Sequence, residues 1–291
     1  MWSNVNDADE KFRELCQNIL GTSAINDREG TLCRAHWEDG VQARTFRTFG
    51  YTTVYNLQKE FPALTLRKTN IRNAVDEILW IWQKKSNNIH DLNSHIWDSW
   101  ADEGGSIGKA YGWQVGNKFQ TVTDYSKEEP TKLTLDQTDY ILWCLKNDKY
   151  SRRIMANLYN IEDLDDMNLH PCCYSITLGV IGDTLNMVLN QRSQDVIVAN
   201  NWNVVQYAIL LMMFAQVSGL KPGKLVHVIA DAHIYDRHVN IAKDLMCRLS
   251  FPAPKVTLNP EITNFYDFTV DDVIVENYKA NAFNKKIPVA V

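Results

Sequence analysis

CYSITLGVIGDTLNMVLNQ, residues 173–191, holds two apolar stretches around Gly182-Asp183 and reads as a β-hairpin. Downstream, 204–218 has the length and composition of a buried helix, 224–230 (KLVHVIA) those of a strand, and 236–249 those of a further helix. Upstream, 133–147 and 161–168 read as helical, and 70–85 (NIRNAVDEILWIWQKK) has helical propensity behind an Asn start. The segment 46–56 (FRTFGYTTVYN) has the β-branched and aromatic content of a strand. Near the N-terminus, Phe12, Leu15, Cys16 and Ile19 recur at helical spacing within 6–20, whereas 21–45, rich in Gly, Asp, Arg and Thr, reads as loop. Strands that do not alternate regularly with helices predict an α+β fold rather than a doubly wound sheet.

No repeat, low-complexity tract or Pro/Ser-rich linker divides the 291 residues, so one domain is expected. With 9 Trp, 12 Tyr and 10 Phe, the chain has aromatic material for both a core and a ring-binding pocket. A formal charge of −5 offers no long-range attraction to DNA or RNA, so nucleic acid is not an expected partner and any phosphate must be held locally. The six cysteines are scattered without a CxxC, and no basic region followed by an apolar run opens the chain, which predicts a reducing cytoplasm. The longest nearly apolar stretch, 207–217, is about half of the roughly 20 residues that a membrane-spanning helix needs, so no membrane segment is expected.

Three clusters carry chemistry. In His170-Pro171-Cys172-Cys173 the proline stiffens the backbone leading into Cys172. A lone cysteine is usually a small buried hydrophobe, and adjacent Cys173 does not suit zinc, whose paired cysteines stand two to four residues apart. The run Asn190-Gln191-Arg192-Ser193-Gln194-Asp195 offers a guanidinium, a hydroxyl and backbone amides that together suit a phosphate dianion, and Arg152-Arg153 adds two guanidiniums. Surface salt bridging is the ordinary alternative for each arginine. In Asp231-Ala232-His233-Ile234-Tyr235, strand alternation puts polar groups on one face; His233 and His238 have no third ligand at a persuasive spacing, so no metal is predicted.

In order and spacing these clusters resemble those of thymidylate synthases. The resemblance covers nearly the whole chain: DEILW at 76–80, IWDSW at 96–100, AYG at 110–112, SRR at 151–153, Pro171-Cys172, QRSQD at 191–195, Asn203, HIY at 233–235 and PVAV at 288–291. The text is similar to the branch of that family seen in Clostridium-like bacteria and some Bacillus phages. The resemblance implies a single thymidylate-synthase-type domain over 1–291, with a mixed β-sheet packed with helices and one sheet face forming a homodimer interface. It also implies reductive methylation of dUMP to dTMP, with 5,10-methylenetetrahydrofolate giving both the one-carbon unit and the hydride, and no metal.

By the same resemblance, Cys172 is the nucleophile toward C6 of dUMP, and Arg192 both favours its thiolate and holds the phosphate with Ser193. Gln194 and Asp195 line the same site. Arg152 and Arg153 reach across the dimer to the partner's phosphate. One further phosphate arginine comes from the N-terminal loop, which departs from the commoner Asp-Arg-Thr-Gly form; Arg34 is the choice, with Arg44 the rival. Asn203 pairs with O4 and N3–H of uracil, an edge that an amide's donor and acceptor fit. His233 and Tyr235 bind the sugar 3′-hydroxyl, Glu77 organises water and protons near O4, and Tyr111 serves removal of the C5 proton. Asn70, Trp97, Trp100, Asp195 and Ala290 contact the folate, and the C-terminal residues close over the complex.

The chain departs from the family pattern twice. Cys173 stands where many members have His, with Ile176-Thr177 in the region of a Gln, and Ala199-Asn200-Asn201-Trp202-Asn203 replaces the usual Gly-x-Pro-Phe-Asn. Phage nucleotide hydroxymethylases also lack that proline, so 5-hydroxymethyl-dUMP is the alternative product. Trp97 and the PVAV tail, which shield the intermediate in synthases, favour dTMP. A non-catalytic nucleotide- or RNA-binding protein, the competing class, has no use for Cys172, Glu77 and Tyr111 together.

Overall fold

The structure, a computed structural model, describes residues 6–26, 29–125 and 129–290. The N-terminal half runs α1 (Asp7–Asn26), β1 (Thr31–His36), β2 (Gln42–Asn56), α2 (Ile71–Trp82), α3 (Gly112–Asn117), β3 (Phe119–Asp124), β4 (Thr131–Asp136) and α4 (Gln137–Asn147). The rest runs β5 (Met155–Asn157), β6 (Cys173–Ile181), β7 (Thr184–Asp195), α5 (Asn200–Val217), β8 (Lys221–Tyr235), α6 (Val239–Met246), β9 (Lys255–Leu258) and β10 (Val273–Glu276).

Six strands form a mixed sheet in the order β1-β2-β8-β7-β6-β5. All its pairings are antiparallel except β7 with β8, which are parallel and joined by α5 as the crossover helix. The expected α+β class is therefore met. Because β6 runs against β7 while β8 runs with it, the start of β6 and the ends of β7 and β8 meet at one edge of the sheet. That edge holds Cys172, Arg192 to Asp195, and His233 to Tyr235.

The hairpin at 173–191 is present as β6 and β7, turning at Gly182 with φ 63°, a left-handed conformation that glycine adopts without strain. α5 is apolar on all sides because it is buried on all sides, between the sheet and α2. α1 buries Phe12, Leu15, Cys16 and Ile19, as their spacing predicts, and Asn70 caps α2 by accepting from the Asn73 N–H at 3.2 Å. The core is one contiguous cluster.

Two expectations are corrected. Residues 21–45 are not loop: α1 continues to Asn26, β1 spans Thr31–His36 and β2 begins at Gln42. β1 is an edge strand whose polar residues alternate with few apolar ones, so it carries little of the apolar signal that marks a strand. Within 133–147 the helix starts only at Gln137, where Asp136 caps it by accepting from the Asp139 N–H at 3.0 Å, and 131–136 pairs instead with β3. The 161–168 segment is a 3₁₀ turn over Ile161–Asp166, and 236–249 narrows to a 3₁₀ turn followed by α6.

Candidate active site

Pro171 leads Cys172 into the start of β6, where a register shift between Cys173 and Ser175 breaks the ladder beside the thiol. Arg192 is locked against this turn. Its backbone N–H donates to the Cys172 carbonyl at 2.9 Å, its Nε to the Pro171 carbonyl at 3.1 Å and one terminal nitrogen to the His170 carbonyl at 2.8 Å. The same terminal nitrogen lies 3.9 Å from Cys172 Sγ. On the other side, the Cys172 N–H donates to the Tyr111 hydroxyl at 3.0 Å. Tyr111 opens α3 at φ 42°, a left-handed conformation that a tyrosine holds only when its surroundings impose it.

Burial pushes the Cys172 thiol above its ordinary value, and the Arg192 charge and Tyr111 pull it back only in part. The expectation that Arg192 makes a thiolate of the free protein is thus offset by desolvation. Burial and the nearby Cys172 likewise hold Tyr111 well above the ordinary phenol value, so it is a neutral hydroxyl.

The second wall comes from α2 and α5. Glu77, 5% exposed, accepts from Trp97 Nε1 at 3.0 Å and from Trp202 Nε1 at 2.6 Å. Burial raises its carboxyl to about 7 even though Trp202, Trp97 and Gln206 all favour the charged form. Trp97 also packs edge-on against Trp100 and Tyr111, at 5.7 and 5.1 Å between ring centroids, which ties this wall to the tyrosine beside Cys172. Trp202 is the clearest residue that sequence reading missed; it lies in the ANNWN segment noted only as a departure. Asn203, one residue on, donates from Nδ2 to Gln206 Oε1 at 3.1 Å and accepts from Gln191 Nε2 at 3.3 Å.

The third wall is the end of β8. His233 and Asp231 share one strand face and bond at 3.0 Å, and Tyr235 packs edge-on against His233 at 5.2 Å. Asp195 accepts from the Ile197 and Val198 N–H groups at 2.9 and 3.0 Å, fixing the turn into α5. His238, fully buried, faces the Pro288 carbonyl at 2.7 Å from Nε2, with Asp195 Oδ1 3.7 Å from Nδ1. The C-terminal segment therefore meets this wall at Pro288, and Ala290, two residues on, is half-exposed. Val291, the last residue of PVAV, is outside the described residues.

Other expected residues stand apart from this cluster. Asn70 caps α2 and lines a cavity of about 510 Å³ with Arg67, Lys68, Phe283 and Trp202, the last of which it shares with the Glu77 wall. Arg152 and Arg153 are exposed, and neither forms a salt bridge among the described residues. Arg34 is exposed on β1, whereas Arg44 donates to the Gly30 carbonyl at 2.8 Å and lies 3.9 Å from Glu29. Neither is brought to Cys172.

The family model for thymidylate synthase matches residues 10–291. The thymidylate synthase of Bacillus licheniformis is 40% identical over 275 residues, covering 93% of this chain and 95% of that protein. The thymidylate synthase of Bacillus phage phi3T is 38% identical over the same shares. The solved structure of thermostable thymidylate synthase A from Bacillus subtilis is similar at a TM-score of 0.85 and 37% identity, over 98% of this chain and 99% of that one. Matched by the family model over residues 10–291 and by relatives of 38–40% identity over nearly their whole length, this chain belongs to the thymidylate synthase family.

Proposed function

We propose that the protein is a thymidylate synthase that converts dUMP to dTMP, with Cys172 adding to C6 of the base. The observation that carries this reading is the placement of Cys172 Sγ 3.9 Å from an Arg192 terminal nitrogen, with Tyr111 on its backbone and the Glu77 wall adjoining. Arg192 and Ser193 hold the nucleotide phosphate, with Gln194 and Asp195 beside them. Arg192 is already held by two backbone carbonyls, so its position relative to Sγ is preset before a phosphate arrives. Addition of Cys172 to C6 makes C5 a carbon nucleophile. Asn203 reads O4 and N3–H, His233 and Tyr235 take the sugar hydroxyl, Glu77 exchanges a proton near O4, and the Tyr111 hydroxyl accepts hydrogen bonding at the C5 proton's exit.

5,10-Methylenetetrahydrofolate, when bound, supplies the one-carbon unit and then the hydride. The residues present suit it: Trp97 and Trp100 offer aromatic faces, and Arg67 and Lys68 give the cavity at Asn70 a cationic lining fit for glutamyl carboxylates, with Asp195 and Ala290 as the further folate contacts of this reading. The contact of His238 with the Pro288 carbonyl supports closure of the tail over the site.

A homodimer follows from the same reading. Across the sheet face turned away from the core, Thr177, Val188, Val226 and half-exposed Val54 lie in one paired row, an apolar surface suited to a second copy. Arg152 and Arg153 then complete the partner's phosphate site. Asp27-Arg28-Glu29-Gly30 departs from Asp-Arg-Thr-Gly at one residue, which puts Arg28 ahead of Arg34 and Arg44 as the N-terminal phosphate arginine. Residues 27 and 28 lie outside the described residues. A single domain over 1–291 is supported by the contiguous core, and the cytoplasmic reading by free cysteines.

Incubation with dUMP and 5,10-methylenetetrahydrofolate should give dTMP and dihydrofolate in equal amounts. Formation of 5-hydroxymethyl-dUMP with tetrahydrofolate would instead establish the hydroxymethylase.

A further inference from the structure

Asn203 is gripped at both ends of its amide. Its Oδ1 lies 3.3 Å from Gln191 Nε2 and 3.5 Å from Gln194 Nε2, and its Nδ2 donates to Gln206 Oε1 at 3.1 Å. Gln191 is oriented in part by the Ser193 carbonyl, to which its Nε2 also donates at 2.9 Å, since a carbonyl only accepts. Gln191 Oε1 therefore faces His227 Nε2, 2.7 Å away, and that nitrogen carries the ring proton. His227 is fully buried on β8, its Nδ1 has no partner among the described residues, and burial drives its value down to about 3, so the ring stays neutral.

Resting on the dUMP reading above, we infer that His227, acting through Gln191, fixes the orientation of the Asn203 amide and so selects uracil over cytosine. His227 is a positioning residue, since it reaches Asn203 only through Gln191. Gln191 holds Asn203 Oδ1 more closely than Gln194 does, 3.3 against 3.5 Å, so an incoming N3–H displaces the longer Gln194 contact, while Gln206 takes one Asn203 N–H. What remains for the base is an acceptor for N3–H and a donor for O4. Cytosine presents the reverse pattern and requires the amide rotated by half a turn. That rotation sets the Asn203 N–H groups against those of Gln191, and its oxygen against Gln206 Oε1. Both mismatches fall in a buried site where an unmade hydrogen bond is costly.

The test measures dissociation constants and kcat/KM for dUMP and dCMP on the full chain and its variants. His227→Phe removes the donor to Gln191 and should lower the dUMP-over-dCMP preference about tenfold, as for one lost hydrogen bond. His227→Gln, whose amide N–H can replace Nε2–H, should restore most of it. Equal losses for both nucleotides, with the preference unchanged, would overturn the inference. If His227→Phe does not fold, Gln191→Leu tests the same link, and an unchanged preference there is equally fatal. A wild-type protein that neither binds nor turns over dUMP would sink the dUMP reading instead.

Discussion

Glu77 is buried and Cys172 half-buried, and desolvation raises the pKa of each, but their walls answer differently. The strand wall sets a guanidinium beside the thiol, whereas the helical wall offers the carboxylate two neutral indole donors, Trp97 and Trp202. A charge can be shared with an incoming phosphate; indole N–H groups belong to the carboxylate alone. The nucleophile's protonation should therefore respond to substrate, and that of Glu77 should be set largely by the protein.

The largest effect expected is on the strand wall. Cys172→Ala should cut turnover by about 10⁴-fold while leaving dUMP binding measurable by calorimetry; near-normal turnover would remove Cys172 from its role. On the helical wall, Glu77→Gln should lower kcat by about 10²- to 10⁴-fold. It should also remove the inflection near pH 7 that titration of this carboxyl, raised to about 7, gives the wild-type rate profile. The stability consequence has a definite sign. Below the ordinary carboxylate value Glu77 is protonated in both states. Between that value and about pH 7 the folded chain alone keeps the proton, so the stabilisation drains away as pH rises through this window. Denaturant unfolding at several pH values should show that slope in the wild type and a flatter one in Glu77→Gln.

Trp202→Phe sharpens the contrast. Losing one of two indole donors should move the Glu77 inflection upward and cost about tenfold in kcat; an unmoved inflection would mean that Trp97 alone holds the carboxylate. The smallest effects concern the N-terminal arginines: Arg28→Ala should raise KM for dUMP severalfold, and Arg34→Ala should leave it nearly unchanged. The reverse result would restore Arg34 as the phosphate ligand.

The strand wall was legible in the sequence and much of the helical wall was not. Pro171-Cys172 and Arg192 sit on either strand of a hairpin marked by its own turn, so local pattern and site coincide. Glu77 was found through the DEILW string, but its partner Trp202 lies 125 residues away, and no spacing rule joins them. His227 looks like one more residue of an apolar strand. Only the parallel pairing of β7 with β8 brings it to Gln191, 36 positions earlier. The same limit hid β1, an edge strand with a weak apolar pattern.

The central claim is that Cys172 bonds covalently to C6 of the nucleotide. Incubation with 5-fluoro-dUMP and 5,10-methylenetetrahydrofolate, followed by proteolysis and peptide mass mapping, tests it most directly. A stable adduct of the protein, nucleotide and folate is expected, carried on the peptide at Cys172 and absent in Cys172→Ala. An adduct on Cys173 or another residue, or none from an enzyme that turns over dUMP, would contradict it.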